Sequence, residues 1–208
     1  RPRARQEVHI FDVGGPIQDE ITKRFRATAD AWHDIGQMSA QVLANAIAEQ
    51  EIDVLVDLTG HAQASRLRTF AMRPAPVQVK WVGGQFGTTG LAAMDWFLTD
   101  PVASPPEMDV YHTERLYRLP DCYVCYTPPG YAPEPGPLPS RASGRVTFAC
   151  FNNVAKLSDR TLDCWAAILQ RLPDARLLLK THAYRGRWTA ERVRSLMGAR
   201  GIDPGRLD

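Results

Sequence analysis

Three short stretches hold residues able to bind or move charge. Asn152-Asn153-Val154-Ala155-Lys156 sets two side-chain amides and an ammonium in one loop. Ser158 and Asp159 follow with the chemistry of a helix N-cap and first turn. Amide N–H groups, a cation and a helix N-terminus together suit an anion such as a diphosphate. Gly83, Gly84, Gly87 and Gly90 form a glycine-rich stretch, and Gly83-Gly84 would let backbone come close to a ligand. Its spacing is not that of the dinucleotide fingerprint. Thr59-Gly60-His61 contributes an imidazole, chemically fit to be a general base or a partner for a sugar hydroxyl. Each stretch also has a plain reading: a turn that needs positive φ, a partly exposed histidine at a strand end, a solvated lysine ahead of a helix.

All three follow apolar runs with strand character. Ile52–Leu58 (IDVLVDL) leads into Thr59, Val77–Val82 (VQVKWV) into Gly83, and the run starting at Val146 into Asn152. Leu162, Trp165, Ala166 and Leu169 recur at helical spacing after Ser158, and a second apolar run covers Arg176–Lys180. Strand, crossover helix and strand of this size make a βαβ unit with a parallel sheet, and in such sheets ligands bind at the loops after the strands. Further strands are expected at Glu7–Val13, Met94–Leu98, Arg115–Leu119 and Cys122–Tyr126. Helices are expected at Asp19–Trp32, after Ser39 (with Val42, Leu43, Ala46 and Ile47 as its apolar stripe), at Ser65–Met72, and after Thr189, where Trp188 and Val193 would staple the start. The fold class is therefore α/β. A proline-rich segment, residues 127–144, separates one unit, 1–126, from a second, 145–208.

Composition excludes several function classes. The 208 residues carry Lys+Arg 25 against Asp+Glu 23, a net charge of +2, so no nucleic-acid partner is implied. No apolar run is long enough to span a membrane, and Arg1–Val13 lacks the core of a signal peptide. Cys122-x-x-Cys125 has no second pair at zinc-site spacing, and in a strand its two thiols would face opposite ways. Reduced thiols and a cytoplasmic location are the expectation, with no metal and no cofactor.

The motifs LVDLTGH (Leu55–His61), RPAPVQVKWVGG (Arg73–Gly84), TTGLAAMDWFLTD (Thr88–Asp100), RLPDCYVCYTPP (Arg118–Pro129) and FNNVAK (Phe151–Lys156) occur in order across the chain. Together they resemble glycosyltransferase family 41, the protein O-GlcNAc transferases and the SPINDLY proteins, the last two motifs the SPINDLY branch in particular. The resemblance implies a GT-B fold, two Rossmann-like units of which this chain holds incomplete parts: 1–126 on the acceptor side and 145–208 at the start of the nucleotide-sugar-binding unit. It implies that Lys156 contacts the donor diphosphate and stabilises the leaving group. Asn152 and Asn153 share that donor loop; Gly83, Gly84 and Gln85 border the donor sugar; Thr59, Gly60 and His61 lie near the acceptor. The implied partners are a nucleotide sugar, UDP-GlcNAc or alternatively GDP-fucose, and a protein acceptor. The family's His-Pro motif would fall ahead of Arg1 and its His-Thr-Thr helix end beyond Asp208, which implies no catalysis from these 208 residues alone. A non-catalytic binding module is the reading from another class.

Overall fold

The computed structural model describes residues 6–14, 19–83 and 87–208. It divides into two compact units, Arg1–Thr127 and Pro128–Asp208.

The first unit contains a parallel strand pair, β1 (His9–Asp12) and β2 (Ala31–Asp34), joined through helix α1 (Glu20–Thr28). The sequence pattern extends α1 to Trp32, but the helix stops at Thr28. Asp30 explains the stop: its amide donates to the Val8 carbonyl at 2.9 Å and its carboxylate accepts from the Val8 amide at 2.7 Å. That clamp turns Ala31–Asp34 into a strand beside β1.

Helix α2 (Ala40–Glu49) starts where Ser39 accepts from the Val42 amide at 3.3 Å. It buries Leu43, Ala44 and Ile47, and Val42 is exposed. The apolar face is thus rotated from the stripe read in the sequence. A four-stranded parallel sheet follows, in the order β3 (Val54–Asp57), β4 (Val77–Lys80), β5 (Trp96–Thr99), β6 (Arg115–Arg118), with α3 (Leu67–Ala71) between β3 and β4.

Register decides which side chains share a face. Leu55 pairs with Gln78, Asp57 with Lys80, and Lys80 with Phe97, so these residues line one side of the sheet. That side is covered: Leu55 packs with Leu43 and Ile47 of α2, Leu67 and Phe70 of α3, and Ile35, Ala75 and Met94. The other side carries Val54, Val56 and Tyr117 exposed. In a doubly wound sheet this is the face that a second helix layer covers.

Cys122–Tyr126, expected to be extended, forms no strand. Side chains hold it instead: Asp100 accepts from the Tyr123 amide at 3.1 Å, and the Trp81 indole donates to the Tyr123 carbonyl at 2.7 Å. Both thiols of the pair are exposed and free, and the strand argument against chelation does not apply to them. Among the described residues no group of three or more His, Cys, Asp or Glu is placed to hold a metal ion, and no helix is long and apolar enough to cross a membrane.

In the second unit the proline-rich stretch ends in a short helix, α4 (Pro139–Ser143). Strands β7 (Thr147–Cys150) and β8 (Arg176–Leu179) pair in parallel across helix α5 (Asp159–Arg171), which is the expected βαβ unit. Leu162, Ala166 and Leu169 of α5 meet Leu177 of β8, Val193 and Met197 of α6 (Arg187–Gly198), and Leu207. Strand β7 is less buried than its apolar run predicts, with Thr147, Phe148 and Ala149 exposed. It pairs only with β8 among the described residues. Leu207 makes a parallel bridge to Leu177 on the other side of β8. Helix α6 begins at Arg187 after Gly186, not at a Thr189 cap, and Trp188 stands 71% exposed under the Arg192 guanidinium rather than stapling the helix.

Candidate functional site

In parallel strands the C-terminal ends share one edge, and the loops singled out in the sequence lie on such edges. Each unit has its own group of candidate residues.

In the first unit, Thr59-Gly60-His61 leaves β3 and Gly83 follows β4. Gly60 and Gly83 are brought together, both with positive φ, at +56° each. A Cβ on Gly60 would meet the Gly83 carbonyl at 2.5 Å, and one on Gly83 would run into the Leu58 carbonyl. Glycine is required here by close approach as well as by conformation. Gly84 and Gln85 lie outside the described residues. Gly90 also has positive φ and Gly87 does not, so the glycine-rich stretch is a mixture of turn requirements.

His61 is exposed, and its Nε2 lies 3.2 Å from the Thr88 carbonyl. A carbonyl can only accept, so Nε2 carries a proton and Nδ1 is the atom able to take one. Thr59 donates its hydroxyl to Asp57 at 2.8 Å.

Three buried charged residues underlie these loops and have no counterpart among the residues picked from the sequence. Asp57, 3% exposed, accepts from the Thr59 amide and hydroxyl and from the Gly60 amide at 2.8–2.9 Å. Lys80, 1% exposed, has its ammonium 3.9 Å from Asp57. Glu114 is buried beneath Thr88 and Thr89, accepting from the Thr88 hydroxyl at 2.7 Å, the Thr89 amide at 2.6 Å and the Thr89 hydroxyl. Burial pushes the Lys80 pKa down, and Asp57 and Glu114 oppose that shift. Burial pushes the Glu114 carboxyl up, but the hydrogen bonds from Thr89 and Thr88 outweigh it and leave it below the ordinary glutamate value.

A carboxyl held low binds fewer protons in the folded state than in the unfolded chain. Its contribution to stability is complete above its ordinary pKa of 4.5 and is lost as pH falls through the lower folded value. Asp100 behaves alike, held low by the amides of Ala103 and Tyr123. Glu114→Gln is therefore expected to lower stability at pH 7 and to flatten its decline below about pH 4.5. Urea titrations of the intact protein at several pH values measure this; parallel curves for variant and wild type would refute it.

In the second unit, Asn152, Asn153 and Lys156 stand together after β7, all exposed. The Asn153 side-chain oxygen accepts from the Ala155 amide at 3.0 Å and starts a single 3-10 turn, Val154–Lys156. That cap engages the oxygen of Asn153 and leaves its NH2 group available as a donor. Three residues after Lys156, α5 begins under the Ser158 cap, whose hydroxyl accepts from the Thr161 amide at 3.2 Å. Asp159 would set a negative charge at this helix start, but Arg200 pairs with it at 2.9 Å and with Asp163 at 2.7 Å. The Lys156 ammonium has no hydrogen-bond or ion-pair partner among the described residues. The arrangement is a cation and side-chain amides ahead of a capped 13-residue helix, which is suited to an anionic group.

Known proteins match this chain at both sequence and structure level. The model of glycosyl transferase family 41 matches residues 2–126. A protein of Arabidopsis thaliana, named a probable UDP-N-acetylglucosamine–peptide N-acetylglucosaminyltransferase SPINDLY, is 40% identical over 197 residues, covering 91% of this chain and 21% of that protein. The Arabidopsis protein SEC, given the same activity in its name, is 30% identical over 213 aligned positions, covering 98% of this chain and 21% of its own length. Among solved structures, a lysine-to-methionine mutant of the Thermobaculum terrenum O-GlcNAc transferase superposes with a TM-score of 0.89 at 37% identity, over 97% of this chain and 38% of that one. The chain thus spans about a fifth of the length of these curated relatives. Its mixed α/β architecture of parallel sheets is part of the GT-B fold of that transferase. With the family model matching more than half of its residues, the chain belongs to glycosyltransferase family 41.

Proposed function

We propose that the protein containing this chain transfers N-acetylglucosamine from UDP-GlcNAc to serine and threonine hydroxyls of proteins, with inversion at the sugar. The observation that carries the reading is the chain's identity of 36–40% to SPINDLY proteins whose names give this donor and a peptide acceptor. The geometry of the second unit supports it. Glycosyl transfer from a nucleotide sugar builds charge on a departing diphosphate. Lys156 and the N-terminus of α5 supply positive potential in one place, and preorganised charge of this kind is the largest single source of rate in many such reactions. Lys156 is assigned the leaving-group role, Asn152 and Asn153 donate hydrogen bonds to the nucleotide sugar, and Gly83 borders the sugar. Thr59, Gly60 and His61 form the acceptor side. Charge neutralisation by a lysine and helix amides needs no metal ion in this scheme. Residues 145–208 are assigned to the donor-binding unit, residues 1–126 to the acceptor side, and the protein is assigned to the cytoplasm.

The test is intact-mass measurement of acceptor proteins incubated with the full-length protein and either UDP-GlcNAc or GDP-fucose. A gain of one N-acetylhexosamine from UDP-GlcNAc is expected. A deoxyhexose gain from GDP-fucose would reassign the donor, and no gain from either would overturn the transferase reading in favour of a binding module.

A further inference from the structure

We propose that Lys80 is a positioning residue, an internal strut that fixes the Val82–Gly83 corner against the Thr59–Gly60 turn. The residue sits at the last position of the central strand β4 and is almost wholly enclosed, at 1% exposure. A buried ammonium needs partners for its protons. Lys80 donates to the carbonyl of Trp81 at 3.3 Å and to the carbonyl of Val82, and lies 3.9 Å from Asp57. The chain at this point is under strain. Val82 has φ +46° and Gly83 φ +56°, two successive left-handed residues, and a β-branched side chain rarely adopts that conformation. Such a corner persists only where its surroundings over-determine it. The ammonium does so by gathering the two carbonyls that the turn directs inward.

The lysine stem also forms the floor of the neighbouring turn. A Cβ on Gly60 would stand 2.9 Å from Lys80 Cε and 3.3 Å from its Nζ. Asp57, the register partner of Lys80 on β3, meanwhile holds the Thr59 and Gly60 amides. One buried ion pair therefore braces both turns, Asp57 gripping residues 59–60 and Lys80 gripping residues 81–82. An apolar side chain of equal length would fill the space but leave two part-buried carbonyls without their donor and the buried Asp57 charge without its counter-ion. The consequence for transfer rests on the proposal that Gly83 borders the donor; the strut itself does not.

The experiment uses two variants of the full-length protein. Lys80→Met keeps the volume and removes the donors. Lys80→Met combined with Asp57→Asn also removes the charge nearest the lysine. Hydrogen exchange of the peptide spanning 79–83 is expected to quicken at least about tenfold in both, with the amides of α2 unchanged. Transfer is expected to weaken mainly through a higher KM for the nucleotide sugar, with a smaller change in kcat. Unaltered exchange at 79–83 in the double variant overturns the strut, and so does a loss of protection spread equally through α2. If the wild-type protein transfers no sugar, the functional reading fails, and the exchange measurement alone still decides the role of Lys80.

Discussion

Lys156→Ala is expected to cut sugar transfer by at least about 100-fold while leaving the fold intact. The size follows from where charge develops. A departing nucleoside diphosphate gains negative charge in the transition state, and a preorganised cation at that point is commonly worth about 3–4 kcal/mol. The second half of the expectation follows from the surroundings of the side chain. Lys156 is exposed and ends a single 3-10 turn, and the hydrogen bond its backbone N–H donates to the Asn153 carbonyl survives truncation of the side chain. Surface truncations of this sort change stability by no more than about 0.5 kcal/mol. Lys156→Arg is a sharper probe, since a planar guanidinium keeps the charge but not the compact point-like donor. It should recover part of the donor affinity and little of the rate. Single-turnover kinetics with UDP-GlcNAc, alongside melting curves, measure both halves. Turnover near the wild-type level in Lys156→Ala would remove the lysine from the mechanism; collapse of the melting transition would make its role structural.

Strand-ending loops were legible because apolar runs such as IDVLVDL and VQVKWV stop at turn-forming residues, and parallel strands set those loops on one edge. The Ser158 and Ser39 caps are legible because a serine hydroxyl ahead of an apolar periodicity satisfies a free amide of the first turn. Asp57, Lys80 and Glu114 were not. A charged residue in a strand normally marks the solvent side of a period-2 pattern, and nothing local shows that Lys80 faces inward with Gln78. Its inward position exists only once β4 lies between β3 and β5, and Glu114 reaches Thr88 and Thr89 from the start of another strand. The exposure of β7 has a related origin. An apolar run predicts that a surface will be covered, whereas Phe148 stands 37% exposed, with no layer over it among the described residues. An aromatic beside a helix start fits a staple by pattern, whereas the partner of Trp188 is Arg192, one turn along the same helix.

Among Gly83, Gly87 and Gly90, which follow β4, Gly83 is expected to be the most damaging to replace by alanine, and the other two supply its controls. Gly83 needs glycine twice over. Its φ of +56° costs an L-residue roughly 1–2 kcal/mol by itself. A Cβ there would also strike the Leu58 carbonyl, with the Leu58 carbonyl carbon at 2.8 Å and the Thr59 carbonyl carbon at 3.1 Å. These are backbone atoms at the end of β3, so relief requires moving the Thr59–Gly60 turn away from Asp57, or the corner away from Lys80. Gly90 shares the first cost and not the second: its φ is +72°, and a Cβ would meet nothing within 4 Å. Gly87 has neither, with open space and no positive φ. Alanine at the three positions should therefore rank in stability loss as Gly83, on the order of 3 kcal/mol or more, then Gly90 at about 1–2 kcal/mol, then Gly87 near zero. Chemical denaturation of the full-length variants provides the ranking. Equal losses at Gly83 and Gly90 would mean that conformation alone demands glycine and that the two turns are free to separate. A larger loss at Gly83, with sugar transfer falling beyond what the fraction folded explains, would tie the contact between the two turns to the assembly of the site rather than to the stability of the sheet.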